Sequence, residues 1–258
     1  MSRLRQPGRV VRAAGRRLPR RPFRILMPIW VWRPLSRLWL SALRADPDRR
    51  RAVRELLVTY EDVYREVDLA AIAYEGGVHP KHRLTRYHDF FVERVRRAER
   101  IADLGCGSGL LAASIAGRAG GQVAAMDWSE SSLEKARRVA GADNPSFTLG
   151  NITTDRLPGR FDAVVLSNVL EHLTDRPALL RQWRDWYEPQ RFLIRVPALD
   201  REWRAPWKKE LGVEWRLDLT HETEYTQPQL EQELREAGLR IKELIARWGE
   251  YWAVAGVA

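Results

Sequence analysis

"IADLGCGSGL", residues 101–110, is the stretch on which the reading of this chain turns. Its apolar run ends at Asp103, and glycines follow at 105, 107 and 109. A strand closing at Leu104 and a helix opening near Gly109 place the loop at the carboxyl edge of a sheet, where open α/β sheets bind ligands. Residues without Cβ let the backbone take φ > 0 and let a ligand come close. A Walker phosphate loop would end in Gly-Lys-Ser/Thr, and no lysine stands here. A dinucleotide fingerprint would carry its third glycine at position 110, which is Leu. Asp103 would repel a pyrophosphate. The loop fits an adenosine-like ligand that carries a cation rather than a phosphate.

Around this loop, short apolar runs alternate with helical patterns. Strands are expected near 100–104, 122–126, 146–149, 161–167 and 191–196, with helices near 109–118, 130–140 and 174–187. That alternation predicts a parallel sheet with helices on both faces. The chain closes differently. A helix at 228–237 leads into "GLRIKELIARWGEYWAVAGV", read as two strands turning at Gly249-Glu250, hence an antiparallel hairpin. Upstream, apolar residues between 47 and 75 recur at helical spacing, and "HPKHRLTRYHDFFVERVRRAER" ends in a further helix. Residues 47–98 therefore read as a helical cap on a sheet domain spanning 99–258.

Bulk composition, 45% hydrophobic and 30% charged, is that of a soluble globular protein, and a cytoplasmic location is expected. A single cysteine, Cys106, excludes an internal disulfide, and no disulfide partner is expected. Charge is unevenly placed. Residues 1–50 hold 14 Arg against Asp46 and Asp48, a net of +12, whereas the remaining residues sum to −2. Residues 1–22 read as a disordered basic arm. "FRILMPIWVWRPLSRLWLSAL" (23–43) is too interrupted by Arg and Pro to span a bilayer or to act as a secretory signal. Together they form a segment at 1–46 distinct from the cap.

"DLGCGSG" resembles the first motif of class I S-adenosylmethionine-dependent methyltransferases, and the resemblance continues in order over roughly residues 80–258. It implies a Rossmann-like seven-stranded sheet of order 3-2-1-4-5-7-6, S-adenosyl-L-methionine as cofactor, and Asp103, Gly105, Cys106, Gly107 and Gly109 lining it. "VAAMDWS" is similar to the second motif, which implies that Asp127 accepts from the ribose hydroxyls while Trp128 stacks on adenine. Asp127 as a helix cap is the alternative, although Ser129 can also cap. "LGNITT" puts Asn151 and Ile152 at the adenine edge, with Asn151 replacing the aspartate usual there. "FDAVVLSNVLEHLTD" is close to the fourth motif, and brings in Ser167 and Asn168. Tyr87 and His88 lie in a segment that folds over the cofactor in family members. The resemblance also makes Cys106 a packing residue rather than a nucleophile.

Methyl transfer to a hydroxyl needs a base, most often His or a carboxylate. His172, one turn beyond the fourth strand, and His221, in "LTHETEYT", are the two candidates. Quinone-pathway O-methyltransferases and certain RNA 3′-end methyltransferases carry a Glu-x-x-Glu-His metal pattern at this place. Here Asn168, Glu171 and His172 stand in it, so the first carboxylate is missing and no metal is expected. A zinc site from His79, His82 and His88 would lack a fourth ligand and any Cys. Trp203, Trp207 and Trp215, interleaved with basic residues, read as either an acceptor wall or a packed lid.

These features predict an enzyme that methylates, most readily at oxygen, a small molecule, sugar or lipid-linked glycan. An RNA methyltransferase and a non-catalytic cofactor-binding protein are the alternatives. For residues 1–44, an anionic membrane surface accounts for tryptophans, aliphatics and arginines together. Nucleic acid accounts for the charge alone, and local packing is the third reading.

Overall fold

The computed structural model describes residues 29–141 and 144–257. The arm expected over 1–22, and residues 23–28 of the Trp-rich segment, lie outside the described residues. The chain divides at Val53/Arg54 into two compact units. The first contains α1 (Ile29–Ala45) and the start of α2 (Arg49–Tyr74). The rest of α2 belongs to the same unit as the sheet, together with α3 (Lys81–Thr85) and α4 (Tyr87–Val92).

Seven strands form one sheet in the order β3-β2-β1-β4-β5-β7-β6, the order implied by the sequence resemblance. β1 (Arg100–Leu104), β2 (Gln122–Asp127), β3 (Ser146–Leu149), β4 (Ala163–Ser167) and β5 (Arg191–Pro197) are parallel. β6 (Leu239–Arg247) and β7 (Glu250–Val257) return antiparallel against β5. The hairpin turns one residue earlier than expected. Trp248 and Gly249 have φ of 56° and 73°, the left-handed pair that matches the twist of a two-residue hairpin loop. Strand β4 begins at Ala163 rather than 161, because Phe161 instead packs edge-on against Tyr187.

Strand side chains alternate between two cores, as period 2 demands. Ala163 and Val165 of β4 join Phe91, Ile101 and Leu193 on one face. Val164 and Leu166 join Trp183, Ile194 and Leu230 on the other. Helices α6 (Glu130–Ala140), α7 (Arg176–Tyr187), α8 (Arg204–Leu211) and α9 (Gln227–Glu236) follow the sheet strands. The helix expected at 109–118 is divided: α5 (Leu110–Ser114) runs into a π turn at Ile115–Ala119.

The α8 region packs against α2. Lys208 is almost fully buried and its ammonium is paired with Glu61 of α2, while the Trp203 and Trp207 rings lie 5.5 Å apart and tilted, Trp203 being exposed. A buried pair is costly to break singly, because the remaining ion keeps its desolvation penalty. Lys208→Ala is expected to destabilise the protein by about 3–5 kcal/mol, whereas Lys208→Met with Glu61→Leu recovers most of that loss, measured by urea unfolding.

Candidate active site at the carboxyl edge of the sheet

The glycine loop is shaped by three left-handed residues, Gly105, Gly107 and Gly109, at φ 73°, 54° and 72°. They are not equivalent. A Cβ on Gly109 would lie 2.6 Å from the Ala136 methyl and 2.9 Å from the Phe147 ring, so close packing of α5 against α6 and β3 forbids one. Nothing lies within 4 Å of the corresponding position on Gly107. Gly107 thus has open space beside it, and its N–H donates to Asp127 Oδ2 at 2.8 Å. The other Asp127 oxygen accepts from Ser129 N–H at 2.9 Å. Helix α6 is capped by Ser129, whose hydroxyl accepts from Ser132 N–H, so Asp127 is not needed as its cap. Each carboxylate oxygen keeps a further lone pair for a ligand hydroxyl.

Beside Asp127, Trp128 is 83% exposed, an aromatic face left to solvent. Asn151 spends its amide oxygen on Thr153, accepting from its N–H at 3.0 Å and its hydroxyl at 2.9 Å. An adenine amino group would have to displace one of them. The Ile152 carbonyl accepts from the Trp183 indole at 2.9 Å.

A cavity of about 570 Å³ lies beside the loop, lined by Asp103, Gly105, Cys106, Ser167 and Asn168 among others, whereas Gly107, Gly109, Asp127, Trp128, Asn151 and Ile152 are not among its lining residues. Asp103 is buried, and one of its oxygens has no hydrogen-bond partner. Burial, and secondarily Asp127, pushes its carboxyl up to about 7. Cys106 is half-buried, and burial likewise raises its thiol, which keeps it protonated. Tyr87 lines the cavity, with its OH on His82 Nδ1 at 2.9 Å and the Arg195 guanidinium 3.7 Å over its ring. His88, expected beside it, is not among the lining residues: it turns away to Ser114 Oγ at 2.7 Å. Burial lowers both His82 and His88 to about 4, so both rings are neutral near pH 7. His82 Nδ1 and His88 Nε2 meet at 3.2 Å, but His79 goes instead to Asp68 at 3.4 Å, so the three upstream histidines do not converge. None of Trp203, Trp207 and Trp215 lines the cavity; Tyr64 and Trp248 do.

His172 and His221 stand together on the far wall, ring centroids 4.7 Å apart and edge-on. Their tautomers follow from their partners. His221, buried, has Nδ1 3.3 Å from Glu224 Oε1, and an ionised carboxylate only accepts, so Nδ1 carries the proton. The Thr220 hydroxyl gives its one proton to Asp218 at 2.8 Å, so it must accept from His172 Nδ1 at 3.0 Å. Both rings are left with Nε2 as the acceptor. Crowding by surrounding atoms, then the neighbouring His221, holds His172 below the ordinary imidazole range. Glu224 is itself fixed by Arg201 and by Leu217 N–H.

Glu171 was not among the residues expected from the sequence to act in the site. It is fully buried, neither carboxylate oxygen has a partner, and burial pushes it up to about 7. Asn168, at φ 56°, adds a third partnerless buried oxygen, Oδ1. Glu171, His172 and His221 each offer a ligand atom, all within 4.8 Å of one another. With Asn168 in place of a carboxylate, this donor set would hold a divalent cation with a single negative charge. Glu224 and Thr220 were also overlooked; the His-x-x-Glu spacing of "HETE", His221 to Glu224, was the available signal.

A family model described as a methyltransferase domain matches residues 78–244, more than half of the chain. The ubiquinone biosynthesis O-methyltransferase of Rhodopseudomonas palustris is 29% identical over 165 residues, covering 58% of this chain and 64% of that protein. Its namesake in Pseudomonas aeruginosa is 30% identical over 159 residues, covering 57% and 67%. The chain spans less than two thirds of the length of the Rhodopseudomonas palustris relatives. Among solved structures, magnesium protoporphyrin IX methyltransferase from Synechocystis PCC 6803, with bound SAH, aligns at TM-score 0.51 and 17% identity over 78% of this chain and 84% of that one. A TehB-like SAM-dependent methyltransferase from Corynebacterium glutamicum aligns at 0.50 and 14% over 77% and 98%. Such identities speak for the fold, and the family model speaks for the lineage. With the sheet order and the glycine loop as they stand, the chain belongs to the methyltransferase-domain family, in its class I S-adenosylmethionine-dependent branch.

Proposed function

We propose that the protein transfers the methyl group of S-adenosylmethionine to a hydroxyl oxygen of a small-molecule acceptor. The observation that carries this reading is His221. It is a buried imidazole whose Nδ1 proton is held by Glu224 and whose Nε2 lone pair is free, in the same cavity as the glycine loop. Its cofactor would lie along the loop. Asp127 takes the ribose hydroxyls, Trp128 covers the adenine face, and Asp103 meets the cationic methionine end. When bound, S-adenosylmethionine would supply an activated methyl carbon for the acceptor oxygen, its sulfur leaving with the electron pair of the broken carbon–sulfur bond. His221 Nε2 takes the acceptor's proton, with His172 as its neighbour at the rim. Alignment of the three reacting atoms supplies most of the acceleration, about 7–11 kcal/mol where it is good. Relatives named for O-methylation in ubiquinone biosynthesis support oxygen as the acceptor atom. They favour a small molecule over the sugar or glycan acceptors also weighed from the sequence.

The partnerless oxygens of Glu171 and Asn168 favour a second reading of the same wall, as a divalent-cation site that would polarise the acceptor hydroxyl. Elemental analysis of the purified protein, with manganese and magnesium titrations of a chelator-treated sample, decides between the two.

Asp127→Ala is expected to weaken S-adenosylhomocysteine binding by about 2 kcal/mol or more in a calorimetric titration, through lost charge-assisted hydrogen bonds. An unchanged affinity places the ribose elsewhere. His221→Ala is expected to lower kcat for any accepted phenol or alcohol by about 10²–10⁴-fold, with S-adenosylhomocysteine affinity retained. For Asp103, the folded carboxyl holds its proton up to about pH 7 while the unfolded one releases it near its ordinary value of 3.8. Stability in the absence of ligand therefore falls as pH rises between those values. Glu171, raised in the same way, contributes to the same fall, so Asp103→Asn is expected to make it shallower, leaving the variant the more stable protein at pH 8 by urea unfolding.

A further inference from the structure

Helix α1 (Ile29–Ala45) displays a face that the methyltransferase reading leaves without a role. At 3.6 residues per turn, Arg33, Arg37 and Arg44 fall within an arc of about 40°. Val31, Trp32, Leu35, Leu38, Trp39 and Leu43 occupy the opposite arc of about 140°. An apolar arc of that width normally packs on a core. Among the described residues of its own unit nothing covers it: Leu38 is 69% exposed, Trp32 53%, Leu35 46% and Trp39 40%. Trp30 and Leu40, also exposed, flank the arginine stripe.

The helix contains no acidic residue, and residues 1–50 carry a net charge of +12. A second copy packed through the apolar arc would leave both arginine stripes on the far sides of the pair with no counter-charge. Nucleic acid would satisfy the arginines and leave the apolar arc in water. Only a surface that is anionic outside and apolar beneath satisfies both arcs. With 17 residues and three arginines the helix lies along such a surface rather than through it, and no helix among the described residues is long and apolar enough to cross a membrane.

We propose that α1 is a membrane-docking helix that seats its Trp32–Leu38–Trp39 face in the headgroup region of an anionic bilayer, with Arg33, Arg37 and Arg44 on the lipid phosphates. This inference goes beyond the methyltransferase reading and does not depend on it.

The test is co-sedimentation of the full chain with vesicles of phosphatidylcholine alone and of phosphatidylcholine with phosphatidylglycerol. Wild type is expected on the anionic vesicles only, released by salt. Arg33→Glu with Arg37→Glu and Arg44→Glu is expected to weaken that partition by about two orders of magnitude. A second variant, Leu35→Ser with Leu38→Ser and Trp39→Ser, is expected to abolish it. Both should keep wild-type affinity for S-adenosylhomocysteine, which shows that the fold is intact and keeps this test apart from that of the cofactor site. Partition that the substitutions leave unchanged, equal partition onto neutral vesicles, or no partition at all overturns the proposal. So does a dimer in light scattering that the apolar variant dissolves while wild type ignores vesicles.

Discussion

A single buried cation ties the carboxyl edge of this sheet together. Arg195 of β5 is 3% exposed, and a charge so placed is tolerated only where it is fully paired. Its guanidinium meets both oxygens of Glu250 at 2.6 Å, touches Ser167 Oγ at 3.3 Å and lies 3.7 Å over the Tyr87 ring. Four contributions converge there: the end of β4, β5 itself, the first residue of β7 and the helix that precedes the sheet. Glu250 opens the strand that runs antiparallel beside β5, so the reversal of direction at that edge supplies the counter-charge. The same cluster lines the cavity, together with Gly105 of the glycine loop.

The two walls of that cavity are built on different principles. On the loop side, backbone conformation does the work: of three left-handed glycines Gly105 lines the cavity, and Asp127, outside it, is held by two N–H donors. The opposite side relies on side-chain chains of custody for protons: Asp218, Thr220, His172 in one, and Arg201, Glu224, His221 in the other. Each chain ends in an imidazole whose proton position is dictated by the groups behind it. Between the walls lie the partnerless oxygens of Asp103, Asn168 and Glu171, groups whose burial without partners is costly unless a ligand supplies the missing donors.

Much of the fold was legible in the chain. Strands near 100–104 and 146–149 stand at the expected residues, where short stretches of apolar and strand-favouring residues are bounded by turn residues such as Gly and Pro. The register of the hairpin was missed by one residue: Trp248 adopts a left-handed conformation that bulky residues seldom take, and nothing local announces it. In the site, Asp127, the glycines and both candidate histidines were visible as motifs. Glu171 was seen only as part of a broken metal pattern, since its importance comes from total burial, which a single sequence does not state. His88 was read with Tyr87 because the two are adjacent, yet neighbours on a helix turn point about 100° apart and only one can face the cavity. The tryptophans of 203–215 were ambiguous for a similar reason. Aromatic and basic residues interleave in the same way whether they receive a ligand or, as with Lys208 and Glu61, pack one helix against another.

Asp103 has a consequence for how ligands arrive. Near neutrality its carboxyl is shared between acid and anion, so a cation that settles beside it displaces a proton into solution. Association and deprotonation are then one event. The heat of binding will include the ionisation heat of whichever buffer receives the proton, and the same ligand will register different enthalpies in phosphate and in Tris while its affinity at fixed pH stays the same.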